Sequence, residues 1–287
     1  MEIYISQAIH GITYGMLLFL VASGFTLVFG LMNILNVAHF AFYMLGAYFA
    51  YTISHYVGNF WVCLVVSPIM VGVLGLLTER FLIRKVHKEG HEPELLLTFG
   101  LFFISVEAVS IIWGPASIPL QGPEIFEGVV PFLGRKTFPL YRLFILGFSF
   151  FVALGMAVML FCTRIGILIR ATVADADMVN ALGTNTQALF TGVFAIGSAL
   201  AGIGGIIVAP FLSAHPAMGM DMLLDCFVVV IVGGFGSLRG AFLSSLMIGT
   251  LHSFGVLLIP RLAMVFQFLL MAVVLSIRPT GLFGEKE

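Results

Sequence analysis

Most of the polar side chains that could do chemistry lie at two interruptions of long apolar segments. Asn33, Asn36 and His39 lie at the first interruption, in the stretch FGLMNILNVAHF. Such side chains could satisfy the backbone groups that a broken helix frees, or they could face a translocation path. A single histidine in an apolar segment is more often a hydrogen-bonded packing residue, so both interpretations remain open for His39.

The second interruption is the glycine-rich stretch GGFGSLRGA, which begins at Gly233. It predicts a broken helix beside a pore or a hinge, because irregular backbone at membrane depth must be covered by protein or line a cavity. The alternative is close helix packing through Gly236-x-x-x-Gly240. No Gly-Lys-Ser/Thr sequence follows the glycines, so the stretch does not indicate a phosphate-binding loop.

Other titratable residues form weaker patterns. Glu107 lies within the fourth apolar segment, where an acid is costly. We expect it to have a hydrogen-bonded structural role, with proton coupling as the alternative, because no second acid, Lys or Arg accompanies it within a span. His87 and His91 are four residues apart, but no third ligand is near, so a metal site is not expected. No arrangement typical of a catalytic site is present, and the chain is not expected to be an enzyme.

The elements that position these residues must be membrane helices. The 287 residues are 60% hydrophobic and 9% charged, whereas a soluble domain carries about 25% charge. The chain is therefore predicted to be an all-α polytopic membrane protein with about 8–10 transmembrane helices, some broken or re-entrant. The net charge of −1 does not indicate a nucleic-acid partner. The nine apolar segments are Ala8–Gly30, Val37–Ser54, Phe60–Ile83, Leu95–Trp113, Tyr141–Cys162, Ala188–Ala209, Met222–Gly236, Ala241–Ile259 and Leu262–Ile277.

Two of these segments, the second and the seventh, are short or interrupted, and they could enter the bilayer without crossing it. The three cysteines all fall within apolar segments. They are expected to be small hydrophobes, buried in lipid or in helix contacts, rather than disulfide partners or metal ligands. They are Cys63, Cys162 and Cys226.

The distribution of Lys and Arg predicts the orientation, because cytoplasmic loops carry an excess of both. If the Arg80–Glu94 loop is cytoplasmic, alternation of the spans places nine basic residues inside and four outside. The C-terminus is then cytoplasmic, the N-terminus is external, and the Gly114–Leu140 loop faces outward. The inside set is Arg80, Arg84, Lys85, Lys88, Arg164, Arg170, Arg239, Arg278 and Lys286, and the outside set is Arg135, Lys136, Arg142 and Arg261.

One long polar segment, residues 163–187, would then face the cytoplasm. It predicts a short exposed helix with its two aspartates in the helix body and an apolar stripe, repeating every four residues, that docks another protein. The glycine after the last apolar residue can end this helix in a left-handed conformation. The alternative is a surface loop that only joins two spans. The candidate docking residues are Arg170, Ala174, Asp175, Asp177, Met178, Leu182 and Gly183.

A weak internal repeat links the two interruptions. Phe25–Gly46 and Val228–Gly249 align without gaps with five identical positions, and both run from outside to inside, so the repeat is parallel. Chance similarity is the alternative. Broken helices at matching places in two halves point to a translocation path, so we expect the two halves to approach each other there. The candidate path residues are Asn33, Asn36, His39, Phe40, Gly233, Gly234, Gly236 and Arg239.

Four stretches carry a family resemblance, in order along nearly the whole chain. They are GITYGMLLFLVASGFTLVFGLMNILNVAHFAFYMLGAY, TRIGILIRATVADADMVNALGTNT, VVVIVGGFGSLRGAFLSSLMIG and RPTGLFG. The chain resembles permeases of branched-chain amino acid (LIV-type) ABC importers, and it is closer to the LivH-type subunit than to the longer LivM-type. The resemblance implies that residues 1–287 form one permease domain, within which residues 163–187 are the cytoplasmic coupling segment.

What the resemblance implies about partners is specific. Such permeases pair with a second permease, here a LivM-type subunit in a heterodimer, in the lipid of the bacterial inner membrane. A periplasmic binding protein delivers the solute, and two cytoplasmic ATPases use ATP and Mg while the permease binds no cofactor. The solute would be a branched-chain amino acid or a related small molecule. The alternative class is a stand-alone secondary transporter or channel, which would need coupling acids or a continuous polar pore.

The sequence departs from the family pattern in two places. Phe40 follows His39, where the family has glycine. Glu79 and Arg80 match the family's Glu-Arg pair, but the Arg-Pro pair that follows is missing, because Lys85 comes after Arg84. Both departures leave the solute open, since the family also includes importers for amides, urea-like solutes and aromatic acids.

Overall fold

The computed structural model describes residues 2–132 and 136–284 as a bundle of helices. Each of the nine apolar segments forms one helix, because a helix satisfies its backbone polar groups internally and needs no water. The helices are α1 (Glu2–Met32), α2 (Ala38–Val57), α3 (Phe60–Thr78), α4 (Arg84–Val86), α5 (His91–Trp113), α6 (Leu140–Cys162), α7 (Arg164–Ala174), α8 (Ala176–Ala181), α9 (Thr186–Leu212), α10 (Met218–Gly233), α11 (Leu238–Leu258) and α12 (Ala263–Ile277).

The connections contain a few short elements. A π-helical turn, Glu79–Ile83, joins α3 to α4, and 3₁₀ turns cover His87–Glu89, Glu124–Phe126 and Pro260–Leu262. Strands β1 (Val129–Phe132) and β2 (Lys136–Pro139) form an antiparallel hairpin in which Val129 lies opposite Pro139. The sequence analysis did not predict this hairpin.

Seven of the described helices are long and apolar enough to cross a bilayer. The two that do not qualify are α2 and α10, which are the second and seventh apolar segments. Helix length alone does not decide this, since α2 has 20 residues whereas α12, which belongs to the qualifying span Pro260–Ile277, has 15. These are the two segments that the sequence singled out as short or interrupted; their entry into the bilayer without crossing it stays a prediction.

The bundle has central and peripheral helices. The apolar windows of α1 and α9 are 89% and 72% buried, whereas those of α5, α6 and α12 are each only 17% buried. Helices α1 and α9 therefore form the core of this chain. The other three present most of their apolar surface to lipid or to another subunit.

Contacts between helix ends define two opposite faces of the bundle. The loop face holds the start of α1, the connection from 114 to 139, and the end of α9. There His10 contacts Arg142, and Ile118 and Ala214 exchange two backbone hydrogen bonds of 2.8 Å. The basic face holds the end of α1, the start of α9 and the last described residues. There Arg84 Nη2 donates to the Gln187 carbonyl at 3.3 Å.

The described basic residues divide between these faces as the alternation of spans requires. Two of the predicted basic residues, Arg135 and Lys286, lie outside the described residues. The three cysteines are free thiols, and Cys63 and Cys226 are buried as expected. Cys162, at the end of α6, is exposed on the isolated chain, on a helix that presents most of its apolar surface outward.

Small residues let α1 and α11 pack closely in antiparallel orientation. A Cβ at Gly249 would lie 2.3 Å from the Gly15 backbone nitrogen and 2.5 Å from the Gly11 carbonyl oxygen. Only glycine permits this backbone approach, which replaces side-chain interdigitation by direct van der Waals contact, as is usual for helices in lipid.

Candidate functional site

The two interruptions of the apolar pattern are breaks between helices, and they meet at the basic face. The first separates α1 from α2, and the second separates α10 from α11. The rings of Phe29 and Phe235 lie 4.7 Å apart, and a Cβ at Gly30 would lie 3.0 Å from the Gly236 Cα. Gly236 has φ +75°, a conformation that favours glycine. The two halves therefore approach each other at their breaks, as the repeat predicted.

The first break contains an unusual buried amide. Asn33 ends α1 in a left-handed conformation with φ +53°, which asparagine tolerates better than most residues, and its side chain is exposed. The Asn36 side chain is 1% exposed, yet neither its oxygen nor its nitrogen has a hydrogen-bond partner among the described residues. A buried polar group without a partner costs about 1–3 kcal/mol. Asn36 is therefore the residue of this break that most needs a water or solute partner.

His39 and Phe40 are packing residues in the geometry of this chain. His39 is fully buried, and its Nε2 lies 3.1 Å from the Val21 carbonyl oxygen. Its ring contacts those of Phe25 and Phe40 at centroid distances of 5.7 and 5.6 Å. Gly219 on α10 makes room for Phe40, since a Cβ there would lie 2.8 Å from the Phe40 carbonyl oxygen. These contacts favour the packing interpretation of His39.

The second break is closed by the last described residues of the chain. Leu282 and Phe283 donate backbone hydrogen bonds of 2.9 and 3.0 Å to the carbonyls of Val232 and Gly233 at the end of α10. Gly234 has φ +97° and packs against the backbone of this same segment. The sequence analysis missed this role of the C-terminal segment, because nothing in the local pattern indicates which helix end it caps.

The glycine spacing in this break does not form the helix-packing motif that was the alternative. Gly236 lies between helices, and Gly240 lies in the first turn of α11. A Cβ at Gly240 would lie 2.0 Å from the Gly233 carbonyl oxygen. The packing between α10 and α11 therefore uses Gly233 and Gly240, and Gly236-x-x-x-Gly240 as a motif on one helix is wrong.

Arg239 lies apart from the polar residues of the first break. Its guanidinium is 5.0 Å from the centre of the Phe161 ring, and it lines an apolar groove of about 500 Å³ between α1, α6 and α11. None of Asn33, Asn36 and His39 lines this groove. Arg239 and the polar residues of the first break therefore do not line this groove together.

The polar segment at residues 163–187 forms two helices instead of the predicted single one. Helix α7 ends at Ala174, and Asp175 is extended, with φ −160°. The Asp175 side chain accepts a 2.8 Å hydrogen bond from the Met178 backbone N–H, so it caps the start of α8. The expectation that Asp175 lies in a helix body is wrong, whereas Asp177 does lie within α8.

The predicted apolar stripe is consequently broken. Ala174 ends α7, Met178 lies in α8, and Leu182 follows α8. Met178 and Leu182 are nevertheless 58% and 78% exposed, and Val173 beside them is 53% exposed. Gly183 has φ +89° and ends α8 in the left-handed conformation, as predicted. An exposed apolar patch therefore remains on the basic face, although its geometry differs from a single helix stripe.

Arg170 contacts its own chain. It donates to the Leu160 carbonyl at the end of α6, and its guanidinium lies 5.7 Å from the Phe161 ring. A cation at a helix C-terminus satisfies a free carbonyl and complements the helix dipole. These contacts tie α7 to α6, so Arg170 positions the predicted docking segment, residues 163–187.

A buried ion pair near the docking segment was missed. Glu79 is 2% exposed, and Arg84 Nε and Nη2 lie 3.1 and 3.0 Å from its two oxygens. Thr191 on α9 donates a 2.6 Å hydrogen bond to Glu79. The π-helical turn between the two charges widens the helix and lets a pair five residues apart meet. An acid in an apolar run followed by arginine five residues later was the available signal.

The membrane acids also differ from expectation. Glu107 on α5 is exposed, and in the described ranges it has no hydrogen bond or ion pair, so the structural role within this chain is not seen. A second acid, Asp225, lies near the start of the seventh apolar segment, in α10, which is not one of the seven described helices long and apolar enough to cross a bilayer. Asp225 accepts hydrogen bonds from Tyr14 and, at 3.0 Å, from Gln267 Nε2.

His87 and His91 both approach the buried Glu94 at the start of α5. The Nδ1 atom of His87 contacts Glu94, and that of His91 lies 3.7 Å from it. No group of three or more His, Cys, Asp or Glu residues in the described ranges is arranged to hold a metal ion. This cluster therefore fastens the connection between α4 and α5.

The chain is similar to known proteins over nearly its whole length. Residues 7–275 match the family described as branched-chain amino acid transport system, permease component. The chain is 28% identical to the high-affinity branched-chain amino acid transport system permease protein BraD of Pseudomonas aeruginosa, over 99% of this chain and 97% of the relative. It is 27% identical to LivH of Escherichia coli K12, over 99% and 96%. No solved structure matches the chain.

Proposed function

Because this chain belongs to the family of permease components of branched-chain amino acid transport systems, it is a multi-pass membrane permease, and we propose that it imports branched-chain amino acids or related solutes as one subunit of an ATP-driven importer. The observation that carries the proposal is the extent of the family match. Residues 7–275 include both helix breaks and the whole docking segment. The relatives' names supply the solute class, since each is a branched-chain amino acid permease protein.

The basic face would be the cytoplasmic one, in a bacterial inner membrane. Apart from the residues outside the described ranges, this face holds most of the Lys and Arg that lie near helix ends. Cytoplasmic loops carry such an excess. The N-terminus and the hairpin would then face the periplasm, where a substrate-binding protein would deliver the solute.

The docking segment would bind an ATPase subunit. Val173, Met178 and Leu182 expose apolar area at a face that meets water, and an exposed apolar patch with a polar rim is typical of a protein interface. The Glu79–Arg84 pair holds the end of α3 against the start of α9 beside this segment. A movement of the ATPase would therefore pass to two spans at once.

The translocation path would run along the junction of the two breaks and the surface shared with a second permease subunit. The unpaired amide of Asn36 supports this placement, because a passing solute or water could supply its missing hydrogen bonds. The exposed faces of α5, α6 and α12 leave ample area for a second permease. The ATP and Mg would be used by the ATPases, and no cofactor is assigned to this chain.

Substitution of Met178 by aspartate tests the proposal. The new charge would lie in the centre of the apolar patch, where an ATPase would bury it without a partner. Loss of a central interface residue costs upwards of about 1–2 kcal/mol, or roughly ten-fold or more in affinity. We expect Met178→Asp to insert and fold normally, while pull-down of ATPase subunits and ATP-driven leucine uptake are lost.

Asn180→Asp is the matched control. Asn180 is exposed on the same short helix, and this variant adds the same charge two residues away, on the opposite side of the helix from Met178. It should keep the ATPases. If no ATPase copurifies with the wild-type chain, and uptake proceeds without ATP, the alternative of a stand-alone secondary transporter replaces the proposal.

A further inference from the structure

A small polar cavity lies between α1, α2, α9 and α10, near the loop face. Its volume is about 70 Å³, and its polar lining comes from Tyr14, Tyr43, Ser213, His215, Asp221 and Asp225. The Asp221 side chain is 75% exposed, so the cavity opens to the surface. This cavity is distinct from the two helix breaks, which lie at the opposite face.

The charge of the cavity is unbalanced. Asp221 and Asp225 are one turn apart on α10 and face the same side of that helix. No Lys or Arg among the described residues lines the cavity, and His215 Nε2 is 4.0 Å from Asp221 Oδ2. The site therefore favours a cation, and it repels a carboxylate.

The hydrogen-bonding groups of the cavity are only partly used. Tyr14 and Gln267 each donate to a different oxygen of Asp225, and each carboxylate oxygen has a further lone pair. Tyr43 is 1% exposed and lines the cavity, yet its hydroxyl has no hydrogen-bond partner in the part of the chain that the structure describes. This hydroxyl is not enclosed by the protein but opens into the cavity beside two carboxylates, so it is free to accept a hydrogen bond from a molecule bound there.

We propose that this cavity binds the ammonium group of the transported solute at the entrance of the permease. The inference rests on the proposed function and narrows its solute class to compounds that carry a primary amine. An ammonium group donates three hydrogen bonds, which match the free acceptors of Asp221, Asp225 and Tyr43. A water needs about 10–15 Å³ of such space, so the cavity has room for the ammonium and a few attached atoms. The carboxylate and side chain of an amino acid would lie outside, toward the exposed Leu212.

Equilibrium binding to the purified chain in lipid nanodiscs tests this inference without the partner subunits. The probes are leucine, isopentylamine (leucine without its carboxylate) and isocaproate (leucine without its amine), measured by titration calorimetry. We expect leucine and isopentylamine to compete for one site and isocaproate not to bind. Tyr43→Phe and Asp221→Asn should each weaken isopentylamine binding about ten-fold, since each removes one hydrogen bond to a charged group.

Two comparisons separate a binding role from a structural one. Tyr43→Phe should not lower the unfolding temperature, because the hydroxyl that it removes has no partner. Glu124→Gln, which removes an exposed acid from the loop face, should leave binding unchanged. Equal binding of isocaproate, unchanged affinity in both cavity variants, or no amine binding at millimolar concentration would each overturn the inference. A failure of ATP-driven uptake would instead count against the proposed function and leave the binding result standing.

Discussion

At the scale of single residues, the most consequential side chains are charges held inside the bundle. Glu79 has both carboxylate oxygens engaged by Arg84, and Thr191 donates to it from another helix. A buried ion pair contributes little net stability relative to an apolar pair, but removal of one partner leaves an uncompensated charge. The pair therefore specifies how α3 meets α9 more than it strengthens the fold.

Arg84→Gln should destabilise the protein. Removal of one partner from a fully buried pair costs about 3–5 kcal/mol, and because the Arg84 side chain is 32% exposed we expect a smaller loss, seen as a lower unfolding temperature in detergent. Arg80→Gln is the control, because Arg80 is exposed and lies only near the ring of its neighbour Phe81. Similar unfolding temperatures for the two variants would show that the Glu79–Arg84 pair does not hold the helices together.

At the scale of elements, local capping decides the shape of the docking segment. An aspartate side chain accepts a hydrogen bond from a backbone N–H more readily in an extended conformation than within a helix, so it competes with helix continuation. Asp175 does so, and it starts α8 in a new direction. The exposed patch around Met178 therefore depends on this cap as well as on apolar spacing.

Asp175→Ala and Asp175→Asn distinguish the cap from the charge. Asparagine caps about as well as aspartate, whereas alanine loses about 1 kcal/mol, a large share for a helix of 6 residues. We expect Asp175→Asn to retain ATPase subunits and Asp175→Ala to release part of them, with faster amide hydrogen exchange in α8. Equal loss in both variants would assign the role to the negative charge.

A second prediction at this scale concerns the close packing of α1 against α11. Gly249→Ala places a methyl group 2.3 Å from the Gly15 backbone nitrogen. This is closer than van der Waals contact allows, so the helices must separate. Overpacking of this kind costs about 1–3 kcal/mol, which should appear as a lower unfolding temperature. Gly147→Ala on α6 is the control, since a Cβ there meets no atom within 4 Å. Unchanged stability of Gly249→Ala would mean that α1 and α11 do not pack closely in the membrane.

At the scale of the whole molecule, the bundle separates charge between its two faces. At the basic face, Arg84 contacts Gln187 and Arg239 lies over the Phe161 ring, both beside the segment 163–187. At the loop face, Arg142 contacts His10 near the start of α1. The same contacts place the two helix breaks at one end of the bundle and the small polar cavity lined by Asp221 and Asp225 at the other. With the proposed orientation, in which the basic face is cytoplasmic, a solute entering by the cavity would reach the breaks before the cytoplasm.

Cysteine accessibility in intact cells tests this arrangement. In a background in which the exposed Cys162 is replaced by serine, an impermeant thiol reagent should label Glu124→Cys at the loop face. It should label Glu92→Cys and Gln187→Cys at the basic face only after the membrane is opened. All three positions are exposed in this chain. Efficient labelling of either basic-face position in intact cells would show that the basic face is outside the cell.

The sequence alone determined the membrane class, the nine helices, the two breaks and the segregation of basic residues. These features follow from apolar run length, from glycine and asparagine at helix ends, and from charge near those ends, all of which are local. The same local signals predicted that Gly183 ends a helix and that the second and seventh segments are unlike the rest. The family resemblance rests on such stretches as well.

Only the tertiary structure decided which distant groups meet. The Glu79–Arg84–Thr191 cluster, the capping of α10 by Leu282 and Phe283, and the Tyr14–Asp225–Gln267 contacts join residues far apart in the chain. Periodicity describes one helix at a time, so it cannot choose among partners on other helices. It also predicted a continuous stripe through Ala174, Met178 and Leu182, because it does not include the hydrogen bond by which Asp175 interrupts the helix. Buried polar groups are costly unless paired, and that pairing exists only once the helices have packed.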